Sequence, residues 1–421
     1  MDEELQAMED TNNWSLVPLP AGKHTIGCRW VYKVKCKADG FVDRYKARLG
    51  AKGYTQQAGI DFNDKFSPVA KLTTVRVLLS LAAINKWSLL QIDAFRQWFC
   101  KFSSALLNHH FKQSRRDYSL FTYGSGDQIV YLLVYVDDII LASTSKDMLY
   151  NLQKLLESLF KLKILGDLKY FLGLELARLD EGILLSQRKY TLSILEDTNF
   201  AESKLTSLPM EPNLRLSSSD GELLKDPASY RRLIGRLMYL TILRPNITYT
   251  VSTLSQFLSQ PHSAHLHALH HLLRYIRGTI GQGLLFSANS EKRLMAYVDA
   301  NWADCPDTRQ SVTGFCVFIG DSLVAWRSKK QATVSRSSTE SEYRAMAVAT
   351  AELTWLKGLL FDFQIDILSS MLFCDSQSAI HIASNPTFMR ELSTYKWTAT
   401  LCSKRWLRSL LGSFMFGRNI N

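Results

Sequence analysis

The sequence predicts an α/β chain of the mixed α+β kind, and three observations carry that reading. Ile129 to Ala142 is a strand-turn-strand run, Gly27 to Leu49 is a basic two-stranded ribbon, and short strands alternate with helices beyond residue 290. In the first of these, eight apolar residues lead into Asp137 and Asp138, and Ile139 to Ala142 lead away. Arms this apolar are expected to be buried on both faces, which leaves two adjacent carboxylates at the edge of a core. Charges so placed call for a neutralising cation, and a metal ion suits. A polar hairpin in water is the plain alternative, since Asp is a common turn residue.

The 421 residues suffice for two or three domains, and 46% hydrophobic content excludes disorder over most of the chain. Fifty Lys and Arg against 39 Asp and Glu leave a net charge of +11, which suits a polyanionic partner or a solvated basic surface. Seven cysteines without paired spacing point to a reducing compartment. No apolar run reaches the roughly 20 residues of a membrane span, so a soluble, intracellular protein inclined to nucleic acid is expected.

In chain order, Gly27 to Lys37 alternates apolar and basic residues, breaks at Ala38-Asp39-Gly40 and resumes from Phe41 to Leu49, a hairpin signature. Its cations, with Lys46, Arg48 and Lys52 among them, form a cradle for phosphates, or an edge kept soluble by lysine. Leu72 to Asn85 has helical spacing with Thr73 or Thr74 as cap. Trp87 to Asp93 reads as a strand ending on a carboxylate, placed to join Asp137 and Asp138 as the third oxygen ligand of a two-metal site. A helical pattern follows from Ala94 to Leu107 with no loop between. Lys146 to Phe160 is an amphipathic helix, Tyr170 to Arg178 and Gly182 to Ser186 are strands, and Gln187 to Asp197 is helical.

Ser203 to Asp226, with Pro209, Pro212 and a run of three serines, reads as a linker. Tyr230 to Gly278 is mostly helical. Its His262, His265, His267, His270 and His271 put no clean set on one face and have no cysteine near, so zinc is not expected. Leu294 to Val298 is a strand ending on Asp299, and Gly314 to Ile319 and Leu323 to Arg327 are strands. Ser337-Ser338-Thr339 opens a helix from Glu340 to Leu359 with Glu342 in its first turn. Met371 to Cys374 ends on Asp375, and a helix runs on to Ile382. Singly, a strand-end Asp or helix-start Glu is ordinary. Jointly, Asp299, Glu342 and Asp375 can converge above one sheet.

At these residues the text becomes specific. WVYKVK (Trp30 to Lys35), RYKARL and AKGYTQ (Arg44 to Gln56), FSPVAKLTTVR (Phe66 to Arg76), YVDDIIL (Tyr135 to Leu141), LKYFLGLE (Leu168 to Glu175), YVDANWA (Tyr297 to Ala303), SKKQATVSRSSTESEYRA (Ser328 to Ala345) and FCDSQSAI (Phe373 to Ile380) occur in order. Up to about Phe388 the chain resembles the reverse transcriptase and ribonuclease H part of the Pol polyprotein of copia-like long-terminal-repeat retrotransposons of plants. The resemblance implies a fingers and palm polymerase domain over 1–200, a linker and helical connection over 201–290, and an RNase H-like mixed-sheet domain over 291–388. It implies that Asp93, Asp137 and Asp138 bind two Mg2+, with Mn2+ as a substitute, for RNA-directed DNA polymerisation by nucleotidyl transfer. It implies that Lys46, Arg48 and Lys52 hold the nucleoside triphosphate, and that Asp299, Glu342 and Asp375, rather than Glu340, bind Mg2+ to cut the RNA of a hybrid. RNA and DNA are then the partners, as primer-template and RNA/DNA hybrid, with dNTP. The expected location is the cytoplasm, in the virus-like particle of the parent element, or the nucleus, with no membrane partner.

The chain departs from the family in three places. After the strand-end Asp the family continues Val-Asn-Asn-Ala-Phe-Leu-His-Gly and runs on through a long section to Arg-Gln-Trp-Phe. Here Asp93 passes through Ala94 and Phe95 directly to Arg96-Gln97-Trp98-Phe99, so several dozen residues of palm and fingers are missing. Carboxylates without their supporting shell lose rate steeply, since misplacement by about 1 Å can cost about 100-fold. After Phe388 the family reads His-Glu-Arg-Thr-Lys-His-Ile, and codons for Met389 to Thr400 shifted by one base restore that text. A frameshift is therefore expected, with 389–421 an out-of-frame tail and the fourth RNase H carboxylate lost. The resemblance begins at the polymerase domain, so protease and integrase are not expected, and Gly50 stands where the family has Val. Two functional readings follow: an RNA-directed DNA polymerase with RNase H, impaired by these losses, or a decayed, non-catalytic nucleic-acid-binding remnant.

Overall fold

The computed structural model describes residues 18–19, 25, 27–36, 42–52, 70–94, 99–126, 128–136, 138–160, 162–367, 370–385 and 398–401. Asp137, the junction at 95–98 and most of the tail at 389–421 lie outside the described residues. Helices and largely antiparallel sheets, the α+β class, make up the rest. The chain divides into two compact units, one of Met1–Pro68 with Phe95–Ser104, the other of Val69–Ala94 with Ala105–Asn421.

In the first unit the alternating apolar and basic residues give two antiparallel strands, β1 (Cys28–Cys36) and β2 (Val42–Ala51). Their register sets Val31 against Arg48, Lys33 against Lys46 and Lys35 against Arg44. The Lys52 backbone N–H closes the open end on the Gly27 carbonyl at 2.7 Å.

The second unit opens with α1 (Leu72–Ile84) and β3 (Ser88–Ala94). The helix is not capped by Thr73 or Thr74: Lys71 stands at its N-cap without a side-chain bond. The Thr74 hydroxyl instead donates to Asp117 Oδ2 at 2.6 Å, and the same oxygen accepts the Lys71 N–H at 3.1 Å. In chain order α2 (Phe99–Asn108) follows, its residues up to Ser104 belonging to the first unit, and then β4 (Lys112–Gln113), β5 (Leu120–Ser125), β6 (Gln128–Tyr135), β7 (Asp138–Ser143), α3 (Lys146–Leu159) and β8 (Leu162–Asp167). The strands form a six-stranded sheet in the order β4-β5-β6-β7-β3-β8. Both arms of the β6–β7 hairpin are buried on both faces: Ile129, Tyr131, Leu133, Ile140 and Ala142 share a core with α1, and α3 packs on the same strands.

Strands β9 (Tyr170–Phe171), β10 (Leu174–Leu179) and β11 (Gly182–Ser186) join β12 (Leu284–Ser287) in a four-stranded sheet. Between them lie α4 (Arg188–Asp197), α5 (Pro227–Leu240), α6 (Pro245–Leu254) and α7 (Ser263–Gly278), which enclose a second core. The segment read as a linker packs into that core through buried Met210 and Leu216. His265 is buried, with Nδ1 accepting the His262 N–H at 2.9 Å and Nε2 at 2.9 Å from the Ser217 carbonyl, so its ring braces this segment.

Strands β13 (Leu294–Asn301), β14 (Val312–Ile319) and β15 (Ser322–Lys330) are antiparallel. After α8 (Ser338–Asp362), β16 (Ser370–Cys374) runs parallel to β13, and after α9 (Gln377–Ser384), β17 (Thr398–Leu401) runs parallel to β16. The order is β15-β14-β13-β16-β17. No helix among the described residues is long and apolar enough to cross a membrane.

One continuous core links the six-stranded sheet to this five-stranded one. The Arg76 guanidinium donates to the Val324 carbonyl at 2.6 Å and stacks over Trp326, Tyr131 donates to the Phe363 carbonyl at 2.6 Å, and Ser114 donates to Asp362 at 2.6 Å. Gly358 makes room here, since a Cβ on it would lie 2.6 Å from Arg116 Nε. Tyr131→Phe is expected to destabilise the protein by about 1 kcal/mol and to speed hydrogen exchange in β6 and α8 together. Exchange that quickens in only one of them would contradict a shared core.

Candidate functional site

Two groups of carboxylates are set by strand register. In the six-stranded sheet Tyr135 pairs with Asp138, and Val136 after Tyr135 adopts φ 54°. A β-branched residue there is strained by about 1–2 kcal/mol, and its surroundings must hold it. Asp138 faces Asp93 directly across β3–β7, a like-charged pair that destabilises unless offset. Part of the offset is visible: Gln91 donates to Asp138 Oδ1 at 3.2 Å, and Lys163 faces Asp93 from β8. Asp93 is exposed and Asp138 half-buried, so water reaches both. Gln91 was legible as a polar residue two before Asp93 on an apolar strand, and the sequence reading passed over it.

The second group is partly enclosed: Glu342 is buried, and Asp299 and Asp375 are half-buried. Asp299 lies inside β13 rather than at its end, paired with Gly314, because the ladder continues to Asn301. Tyr297 and Phe373 are partners across β13–β16 with rings stacked at 4.8 Å; Asp299 comes two residues later on β13, and Asp375 directly follows the end of β16. Ser337 caps α8, so Glu342 falls in the second turn rather than the first. The first-turn acid, Glu340, is bound to Arg344 at 2.8 Å and accepts the Arg336 N–H at 2.8 Å, which leaves Glu342 as the inward carboxylate.

Glu342 is 7% exposed and accepts the Ala300 N–H at 3.2 Å. Burial, then the charge of Asp299 and the hydrogen bond to it, then the charge of Asp375, push its carboxyl far above the usual range. Ligand atoms of Glu342, Cys374 and Asp375 lie within 4.8 Å of one another. Burial, assisted by the same acids, pushes the Cys374 thiol up to about 12, so it stays protonated and points to Glu342 Oε2 at 3.9 Å. A buried carboxylate facing two others is a donor set for a hard divalent cation. Cys374 is a neighbour that the sequence reading did not single out.

The triphosphate candidates lie in the first unit. Lys46 and Arg48 take successive same-face positions on β2, and Lys52 follows its end. The side chains of Lys46 and Arg48 lie outside the described residues.

Comparison with known proteins gives this geometry its context. The family "Reverse transcriptase (RNA-dependent DNA polymerase)" matches residues 11–95 and 91–212, two segments that meet at the strand carrying Asp93. The retrovirus-related Pol polyprotein from transposon RE1 of Arabidopsis thaliana is 37% identical over 433 residues, covering 92% of this chain and 30% of the relative. That from transposon TNT 1-94 of Nicotiana tabacum is 32% identical over 443 residues, covering 92% and 33%. An uncharacterized mitochondrial protein of Arabidopsis thaliana is 43% identical over 226 residues, covering 54% of this chain and 94% of the relative. The chain thus spans about a third of the length of the Pol relatives. Alignments of 433 and 443 residues exceed the 421 of the chain, so those relatives carry residues that it lacks. By these matches the chain belongs to the reverse transcriptase family, among the copia-type Pol polyproteins of plant retrotransposons.

Proposed function

We propose that the chain is a retroelement-derived RNA-directed DNA polymerase joined to an RNase H-like module, with polymerisation impaired. The observation that carries this is the placing of Asp93 against Asp138 at the tip of a buried hairpin. Asp93, Asp137 and Asp138 would hold Mg2+ or Mn2+ in the first centre, and Asp299, Glu342 and Asp375 in the second. When bound, paired divalent cations supply positive charge to the entering and leaving oxygens of an in-line displacement at phosphorus. The chain's own groups prepare the sites. Gln91 fixes the Asp138 carboxylate, and Glu342 keeps a proton until a cation replaces it. In the ribbon, cationic residues face one another in register, an arrangement that a bound polyanion such as a dNTP would relieve. The second reading, a non-catalytic nucleic-acid-binding remnant, draws support from the relatives' extra residues.

Primer extension on a primed RNA template is expected to be slow and to fall further, roughly 100-fold, in Asp138→Asn. Extension that is equal in wild type and Asp138→Asn would overturn the polymerase reading and select the remnant. Cutting of an RNA/DNA hybrid is expected to need Mg2+ and to fall roughly 100-fold in Asp299→Asn. Cutting that is absent at every Mg2+ concentration selects the remnant. Hybrid binding should weaken steeply with salt, because phosphate contacts release counterions, and a flat dependence would argue against any phosphate-binding surface.

The raised Glu342 pKa fixes the sign of a pH effect. Without metal the folded protein keeps a proton that the unfolded chain releases near pH 4.3, so stability falls as pH rises above that value. Glu342→Gln is expected to raise the unfolding midpoint by about 2–4 °C at neutral pH, to change little near pH 4, and to lose stabilisation by added Mg2+. Lower stability than wild type in chelator at neutral pH would defeat this account.

A further inference from the structure

Three residues beyond Asp299, where β13 gives way to a turn, Trp302 is 50% exposed. An aromatic ring held wet in a fixed pose suits contact with a partner. The pose is fixed by a chain of bonds. The indole N–H donates to the Ser335 carbonyl at 3.0 Å, and the Ser335 hydroxyl donates to the Gln331 amide oxygen at 2.9 Å. The Gln331 amide nitrogen donates to Thr313 Oγ1 at 3.1 Å and to the Ser341 carbonyl at 3.0 Å, one residue before Glu342. Gln310 donates to the Ala332 carbonyl at 2.8 Å, and the Arg344 guanidinium donates to the Thr333 hydroxyl. The loop from Gln331 to Ser335 is therefore tied to β14, to α8 and to Trp302.

The chemistry of this surface is specific. Val334 is 51% exposed on the same loop, and Lys329 and Arg336 are exposed cations at its two ends. A protein partner would favour a broad apolar patch depleted of Lys. One ring and one valine flanked by cations match a nucleic-acid strand, whose sugars offer apolar faces between phosphates. Three residues of chain span at most about 10 Å, so Trp302 stands no more than about three base-pair steps, at about 3.4 Å each, from Asp299.

We infer that Trp302 is a positioning residue that lays its exposed ring on the sugars of the nucleic-acid strand presented to Asp299, Glu342 and Asp375. This rests on the proposed role of those three carboxylates. It adds a contact that holds the duplex a few nucleotides from the reacting phosphate.

The test uses the full chain and a fluorescein-labelled RNA/DNA hybrid in chelator, so that binding is read apart from cutting. Trp302→Ala is expected to weaken binding about tenfold, and Trp302→Phe to stay within about threefold of wild type. Both variants lose the bond to Ser335, so the difference between them isolates the ring. In Mg2+, Trp302→Ala should raise KM with kcat little changed. If wild type binds no hybrid, the proposed function fails and takes this inference with it. If wild type binds and both variants bind equally well, the inference alone fails. It also fails if Ala and Phe lose affinity alike while their unfolding midpoints drop, which is the mark of a merely structural residue.

Discussion

The structure of the larger unit depends on the burial of α1 on every side. Ten successive residues, Thr74 to Ala83, are buried, so the helix has no face for water and must be covered from two directions. The six-stranded sheet shares its core on one side, and β11, β12 and β15 pack on it as well. This geometry forces Arg76 inside. Its charge survives there through the Val324 carbonyl, the Trp326 ring and the field of Glu352, yet burial still pulls its pKa down to about 9. A guanidinium so enclosed makes separation of the two sheets expensive, because opening one from the other removes its partners.

Both carboxylate groups come from the same device, strand register, with different outcomes. Asp93 and Asp138 lie across an antiparallel pair at an open tip, where water, Gln91 and Lys163 moderate the repulsion. Asp299 lies within β13 and Asp375 just past the end of its parallel neighbour β16, and buried Glu342 on α8 faces them with its pKa pushed far above the usual range. Glu342, buried beside two acids, has the strongest need for a cation, since solvent screens it least.

Much of this was legible in the sequence where the signal is local. The apolar arms of the hairpin, the basic ribbon and the strand ends near Asp93, Asp299 and Asp375 follow from periods of two or 3.6 residues. What failed was decided at a distance. Thr74 is no cap because its hydroxyl goes to Asp117, 43 residues away. The segment from Ser203 to Asp226 has the composition of a linker, yet Met210 and Leu216 are buried by helices that follow it, and Ser217 and Ser218 bind Asp307. His265 is a brace whose acceptor lies 48 residues upstream. An exposed Trp302 and a core tryptophan such as Trp87 are alike in sequence, and only the folded surface separates them.

Register also bears on how the loss expected from the sequence after Asp93 would affect the protein. Strand β3 is bonded on both sides, to β7 from Ser88 to Asp93 and to β8 from Leu90 to Ala94. The missing stretch would attach beyond the end of these ladders, so its loss breaks no sheet hydrogen bond and exposes none of Leu89, Ile92 or the hairpin arms. Asp93 and Asp138 are thus held by backbone pairing and by the Gln91 contact, whatever follows Ala94. The second group depends only on β13, α8 and β16, which lie far along the chain from that junction. A truncation at this point therefore weighs on the proposed polymerisation first and leaves the geometry of the second centre untouched.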